Sequence, residues 1–277
     1  VTPHHLIIID FSGTLSIDTV LFSQDEALTQ ALRDSGLWQR GLNSLNMFWQ
    51  DIIAPTWTEG ATSAIGYVET LTNALMQRLR LPAEEIRHCV SAFAASYFAH
   101  STIHAVWKPL LRQLCADPAV KVVIATDHYA EATELIRAQL AAIGILSILI
   151  ANSADIGACK AERAFWEHVY GRLASETFNR ISVIDDFGAN ESQRDDYAAE
   201  AKIAKRQTEM TALLTEIFRC PVEVFPFRLS LQKQQRIEDG NEFKQQQALN
   251  LFPSSIRCCF YDEFTDCVAR AAAFLMR

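Results

Sequence analysis

The 277-residue sequence predicts a doubly wound α/β protein, a parallel five-stranded sheet with a helical domain inserted after its first strand. Three observations predict it. Five short apolar runs rich in β-branched residues punctuate the chain, helical segments alternate with the later ones, and roughly 100 residues of helical pattern separate the first run from the second. At 49% hydrophobic content the chain can bury a large core.

The runs Leu6 to Asp10, Lys121 to Ala125, Leu146 to Ala151, Ile181 to Asp185 and Val222 to Phe227 read as strands buried on both faces, because they are continuously apolar rather than alternating. Segments 130–143 and 160–173 carry helical periodicity between successive strands, so the middle of the chain is a βαβαβ series with right-handed crossovers. The interval after the first strand holds helical patterns at 24–35, 42–53, 61–80 and from Pro82 through Phe98, where Pro82-Ala83-Glu84-Glu85 has the proline and acids of a helix start. The expected domains are therefore 1–15 plus 105–277 for the sheet core and 16–104 for the insertion. Residues 196–218 read as a long charged helix, and Asp262 to Met276 as a final amphipathic one. The polar, glutamine-rich stretch 228–250 reads as a solvated loop or hairpin.

Composition narrows the function. A formal net charge of −8 argues against nucleic acid as the main ligand, since phosphate neutralisation needs clustered Lys and Arg. The seven cysteines form no C-x-x-C pair and no disulfide framework, so a reducing, cytoplasmic setting is expected. No secretory leader and no run of about 18 apolar residues is visible, so neither export nor membrane spanning is expected. His100 and His104 stand four apart in a helical pattern, but no third ligand accompanies them and they read as ordinary helix histidines. Apolar, alanine-rich surfaces would suit a homodimer.

In an open parallel sheet, ligands bind beyond the carboxyl ends of the strands. Four strand ends carry polar groups: Asp10 with the turn Phe11-Ser12-Gly13-Thr14, then Thr126-Asp127-His128, Asn152-Ser153, and Asp185-Asp186. Each alone is an ordinary cap or loop starter. Their convergence at one end of a sheet is what makes them candidates for chemistry.

Four ordered segments resemble the motifs of the haloacid dehalogenase superfamily. LIIIDFSGTL resembles its first motif, VVIAT its second, GACKAERAFW its third and ISVIDDFGAN its fourth, with Asn190 five residues after Asp185. The resemblance implies a Rossmann-like hydrolase core with a helical cap of the C1 type in the slot after strand one. It further implies Asp10 as nucleophile, Thr126 holding the transferring group, and Lys160 pairing with both. Magnesium would be held by Asp10, Asp185, Asp186 and the main-chain carbonyl of Ser12. Asp127 is a further substrate-binding candidate. The chemistry is coherent: a carboxylate attacks phosphorus to give a covalent intermediate that water resolves, and a dianionic phosphate requires neutralising charge. The expected ligand is a small phosphorylated molecule.

Ser12 departs from that pattern. Phosphatases of the superfamily usually have a second Asp two residues after the nucleophile as acid and base, and a serine hydroxyl holds its proton too tightly near neutral pH. Three readings follow. One is phosphoryl hydrolysis or transfer with a good leaving group, or with Asp127, His128 or a cap residue supplying the proton. Another is cleavage of a different bond. Phosphonatase-type chemistry uses a cap lysine, yet residues 16–107 contain none. Dehalogenase-type chemistry needs no acidic pair, though Arg33 or Arg40 could bind a substrate carboxylate. The third is a binding or regulatory protein that lost turnover. The aromatic residues of the insertion, including Trp38, Phe48, Trp49, Trp57, Tyr67 and Phe93, read first as a helical-bundle core and second as an apolar substrate pocket.

Overall fold

The computed structural model describes residues 4–174, 176–190, 198–229 and 263–276. The glutamine-rich stretch 228–250 lies outside them apart from its first two residues, as do Cys258, Cys259 and the start of the expected helix at 196.

Five strands, β1 (His5–Ile9), β2 (Val120–Thr126), β3 (Leu149–Asn152), β4 (Arg180–Asp185) and β5 (Val222–Pro226), form one sheet in the order β3-β2-β1-β4-β5. Every pairing is parallel, with Ile9 beside Ile124 on one side and Ile184 on the other. Chain connections run outward from β1 toward β2 and β3, then from β4 toward β5. The direction thus reverses between β1 and β4, and a crevice opens there at the strand ends.

Both faces of the sheet are covered, as continuously apolar strands require. Ile7 and Ile9 pack with Val122, Ile124 and the helices α6 (Lys108–Ala116), α7 (Ala132–Ala142) and α11 (Glu263–Leu275). The alternate residues Leu6 and Ile8 pack with Val123, Val183 and the helices α9 (Arg163–Arg172) and α10 (Glu200–Phe218). A four-residue turn of helix, α8 (Ser153–Ile156), follows β3 directly.

Between β1 and β2 lie α1 (Asp18–Phe22), α2 (Asp25–Asp34), a π-helix (Met47–Ile53), α3 (Ala54–Ala61), α4 (Tyr67–Leu79) and α5 (Ala83–His100). They share their own hydrophobic cluster, in which Leu32, Ile52, Leu75, Ile86 and Phe93 are buried, and Tyr129 from the β2–α7 turn joins it.

Three sequence expectations need correction. Helix does not pause between 53 and 61. The π-helix passes straight into α3, because the Ala54 N–H bonds back to the Trp49 carbonyl and Pro55, which has no N–H, falls where the ladder changes pitch. The next helix starts at Tyr67 rather than 61. Gly66 precedes it at φ +86°, and the Glu131 carboxylate caps it by accepting from the Tyr67 N–H at 2.9 and 3.0 Å. A Cβ on Gly66 would lie 2.7 Å from Glu131 Oε1, so only glycine allows this tie between insertion and core. Finally, β3 begins at Leu149, three residues late, with Leu146 84% exposed ahead of it.

Candidate active site

The crevice between β1 and β4 gathers three buried carboxylates. Asp10 follows β1 directly, its N–H donating to the Ile184 carbonyl at 2.9 Å, so the β1–β4 register sets Asp10 beside Asp185. Asp10, Asp185 and Asp186 present oxygens within 4.8 Å of one another, the one such acidic or His/Cys group among the described residues. His100 and His104 form none. The His100 Nδ1 lies 2.8 Å from the Ser96 carbonyl, and the His104 Nδ1 accepts from the Val106 N–H.

Lys160, on the loop between α8 and α9, reaches into this group. Its ammonium donates to Asp10 Oδ1 and Asp185 Oδ2, each at 2.7 Å, and the lysine is itself largely buried. Its main chain is anchored at both ends: its N–H donates to Asp127 Oδ1 at 2.8 Å and its carbonyl accepts from Trp166 Nε1 at 2.7 Å. Burial opposes the Lys160 charge, but Asp10, Asp185 and Asp127 outweigh it, so the ammonium persists. Burial likewise pushes the Asp10 carboxyl well above the usual carboxylate range; Lys160 pulls it down, and Asp185 and Asp186 push it further up. Burial also raises Asp127.

The turn after β4 is wrapped around Asp186. Phe187 and Gly188 take left-handed conformations at φ +51° and +75°, and the Gly188 and Asn190 N–H groups donate to the two Asp186 oxygens at 3.1 Å each. Phe187 N–H donates to Asp185 Oδ1 at 2.6 Å. Gly13, at φ +79°, faces the same carboxylate so closely that a Cβ would stand 2.6 Å from Asp186 Oδ2. Asn190 then ties three strand ends together: its Nδ2 donates to the carbonyls of Gly13 and Phe227, and its Oδ1 accepts from the Leu229 N–H. Thr14 completes the frame, its hydroxyl accepting from the Asp186 N–H and its carbonyl from Trp107 Nε1.

Two buried oxygens at the site lack partners among the described residues, Asp10 Oδ2 and Thr126 Oγ1. A buried orphan acceptor costs roughly 1–3 kcal/mol, so such atoms mark where a ligand completes the site. Three hard carboxylates around one lysine, with an orphaned oxygen on one of them, suit a divalent cation of the magnesium type.

Asp10, Ser12, Asp127, Lys160, Asp185 and Asp186 all line one cavity of about 150 Å³, whose far wall is Trp57, Phe187 and Arg206. Thr126 sits buried at the end of β2. Arg40 is not brought to this site. Its guanidinium pairs with Glu85 at 2.9 Å, both side chains are about half exposed, and it lines neither this cavity nor the one adjoining it. Sequence reasoning passed over Arg206, which supports the Asp186 turn by donating through Nε and Nη2 to the Phe187 carbonyl at 3.0 and 2.6 Å. Nothing in the sequence separates it from the other charged residues of α10.

His128 is close in sequence but differently employed. Its Nδ1 accepts from the Tyr129 N–H at 2.9 Å, so the ring proton sits on Nε2 and faces the Tyr97 hydroxyl at 3.1 Å. Burial lowers its pKa to about 4, leaving a neutral ring that is no acid near neutral pH. The sign follows. Between about pH 6.5 and 4 the unfolded chain binds the proton and the folded one does not, so stability is complete above 6.5 and falls with pH through that window. His5, lowered to about 4 chiefly by burial, adds in the same direction. Urea unfolding at pH 7.5 and 4.5 is expected to show a loss that His128→Asn reduces by up to about 3 kcal/mol; parallel pH profiles for variant and parent would refute the buried neutral ring.

No family model matches the sequence, and no curated protein matches it. Solved structures similar to the chain include these two. One is a 2-haloacid dehalogenase from Pseudomonas syringae pv. Tomato DC3000, at 14% identity over 74% of this chain and 99% of that one, with a TM-score of 0.45. The other is the orthorhombic form of the putative HAD-hydrolase YfnB from Bacillus subtilis bound to magnesium, at 15% identity over 66% of this chain and 78% of that one, with a TM-score of 0.41.

Proposed function

We infer that the chain is a hydrolase of the haloacid dehalogenase type, transferring a phosphoryl group from a small ester to Asp10 and then to water. The observation that carries this reading is the Asp10 carboxylate itself, with Oδ1 held by Lys160 and Oδ2 unpartnered. A nucleophile needs one oxygen fixed and one available.

The surrounding groups have assignable tasks. Asp10, Asp185, Asp186 and the Ser12 carbonyl would hold a magnesium ion, which when bound supplies charge neutralisation for a phosphate dianion. Lys160 orients Asp10 and offers a fixed positive charge to the transferring group. The buried Thr126 hydroxyl, without an acceptor among the described residues, would donate to a phosphoryl oxygen. A carboxylate oxygen of Asp10 forms the bond to phosphorus as the ester bond breaks, and water later cleaves the aspartyl phosphate. The helical insertion, residues 16–104, acts as the cap over this step.

Ser12 lines the cavity without an ionisable group, and His128 is neutral and committed to Tyr97. Asp127, the remaining aspartate of the cavity outside the Asp10–Asp185–Asp186 group, is tied through Oδ1 to the Lys160 N–H, so proton delivery to the leaving group is weak and esters with acidic leaving groups are the substrates. The test is phosphate release from acetyl phosphate and a panel of monoesters, with magnesium and with chelator. Turnover of acidic-leaving-group esters that needs magnesium is expected, and Ser12→Asp is expected to raise the rate on alkyl esters by about 10–100-fold. Halide release from 2-haloacids without metal, and no phosphate release, would replace this reading with dehalogenation.

A further inference from the structure

We propose that the aromatic pocket of the helical insertion holds the leaving group, and that it selects an uncharged, single-ring aryl ester bearing a hydrogen-bond acceptor. This substrate class rests on the phosphoryl-transfer reading above.

A second cavity, of about 110 Å³, lies within the insertion and shares two lining residues, Ser12 and Trp57, with the acidic cavity. A group bonded to a phosphoryl at Asp10 therefore has one route past Ser12 into it. Its walls are the rings of Phe22, Phe48, Trp49, Phe93, Tyr97 and Tyr129, and no charged side chain is among the described residues that line it. Trp57 and Tyr129 meet edge to face at 5.5 Å and 88°, as do Phe48 and Trp49 at 4.9 Å and 76°, which presents ring edges and faces to the space between them. Apolar cavities of about 150 Å³ admit benzene, and this one is of that order.

Tyr129 supplies the polar requirement. The residue is buried, it lines the pocket, and its hydroxyl is without a partner among the described residues. A buried phenol donor with nothing to donate to calls for an acceptor from the ligand.

The chemistry of the cleft agrees. Ser12 cannot protonate a departing alkoxide, whereas a phenol ionises near pH 10, as tyrosine does. In the step, an Asp10 oxygen bonds to phosphorus and the aryl oxygen leaves with the electron pair as a phenolate. It takes its proton from solvent after release. Water then hydrolyses the aspartyl phosphate to inorganic phosphate and free Asp10.

The test has a kinetic and a binding arm, both with the full chain. The kinetic arm compares 4-formylphenyl phosphate, phenyl phosphate and glucose 6-phosphate with magnesium. The expected result is a kcat/KM for both aryl esters at least about tenfold above the sugar phosphate, and a Tyr129→Phe variant about tenfold slower on the formyl ester but within about twofold on phenyl phosphate. The binding arm titrates benzaldehyde, an uncharged ring with the same acceptor, into the parent, Tyr129→Phe and Ser23→Phe, the last placing a ring in the pocket wall; both variants are expected to bind about tenfold more weakly or worse. Binding that follows this order without any ester turnover would support the pocket and overturn the phosphoryl reading. Turnover of acetyl phosphate with no aryl preference, and aldehyde binding unchanged in both variants, would overturn the pocket while leaving that reading intact.

Discussion

Asp10→Asn is expected to lower turnover by at least about 10⁴-fold while leaving the protein as stable as the parent or more so. The first effect follows from the nucleophilic role proposed for Asp10, since removal of a nucleophile on which the other groups act costs orders of magnitude. The second follows from the electrostatics of the crevice. Asp10 is buried beside Asp185 and Asp186, and its carboxyl is pushed up by burial and by those neighbours. An amide of the same shape removes one negative charge from the group, while Lys160 keeps its 2.7 Å bond to Asp185. Single-turnover phosphate release and a urea unfolding curve without metal measure the two effects separately. Retention of more than about 1% of parental turnover would exclude Asp10 as the attacking group, whatever the stability.

Lys160→Met is the complementary case, with the larger effect on folding. The lysine is the cation that bonds two of the three clustered carboxylates, and it is about as buried as they are. Methionine keeps the stem and removes the charge, which leaves the clustered Asp10, Asp185 and Asp186 without their shared cation. Breaking a buried ion pair from one side costs about 3–5 kcal/mol, which for a chain of this size lowers the melting temperature on the order of 10 °C. Two controls distinguish this from a packing defect. The deficit should shrink as the pH falls and Asp10 and Asp127, both raised by burial, take up protons; it should also shrink on adding magnesium, the cation proposed for this cluster, if that ion supplies the missing positive charge. A variant that melts with the parent at neutral pH without metal would mean that the carboxylates do not rely on this lysine.

The sheet and most of the site were legible because their signals are local. A run such as LIIID is apolar on both faces and ends in an acid, and both features are fully present within five residues. Asp10, Thr126 and Asp185 could thus be placed at strand ends before any contact was known, whereas that β1 and β4 are neighbours comes from the strand order of the folded sheet. Lys160 was legible only by analogy, since its partner Asp10 is 150 positions away and nothing in the intervening chain marks the contact. Arg40 shows the converse. As a cation in a helical insertion it could serve a substrate anion, but α5 brings Glu85 to it, and only packing decides such a pairing.

By itself, then, the sequence determined which residues end strands, that the sheet is covered on both faces, and that a helical insertion follows the first strand. These follow from hydrophobic periodicity and turn chemistry, which act over a few residues. Tertiary structure decided that, among the described residues, Asp10 Oδ2 and the Tyr129 hydroxyl are left without partners, the latter in a ring-lined pocket beside Ser12, that His128 is neutral and spoken for, and that Gly66 makes room for Glu131. Each depends on groups from distant segments competing for the same few ångströms, where burial and the nearest partner settle the outcome.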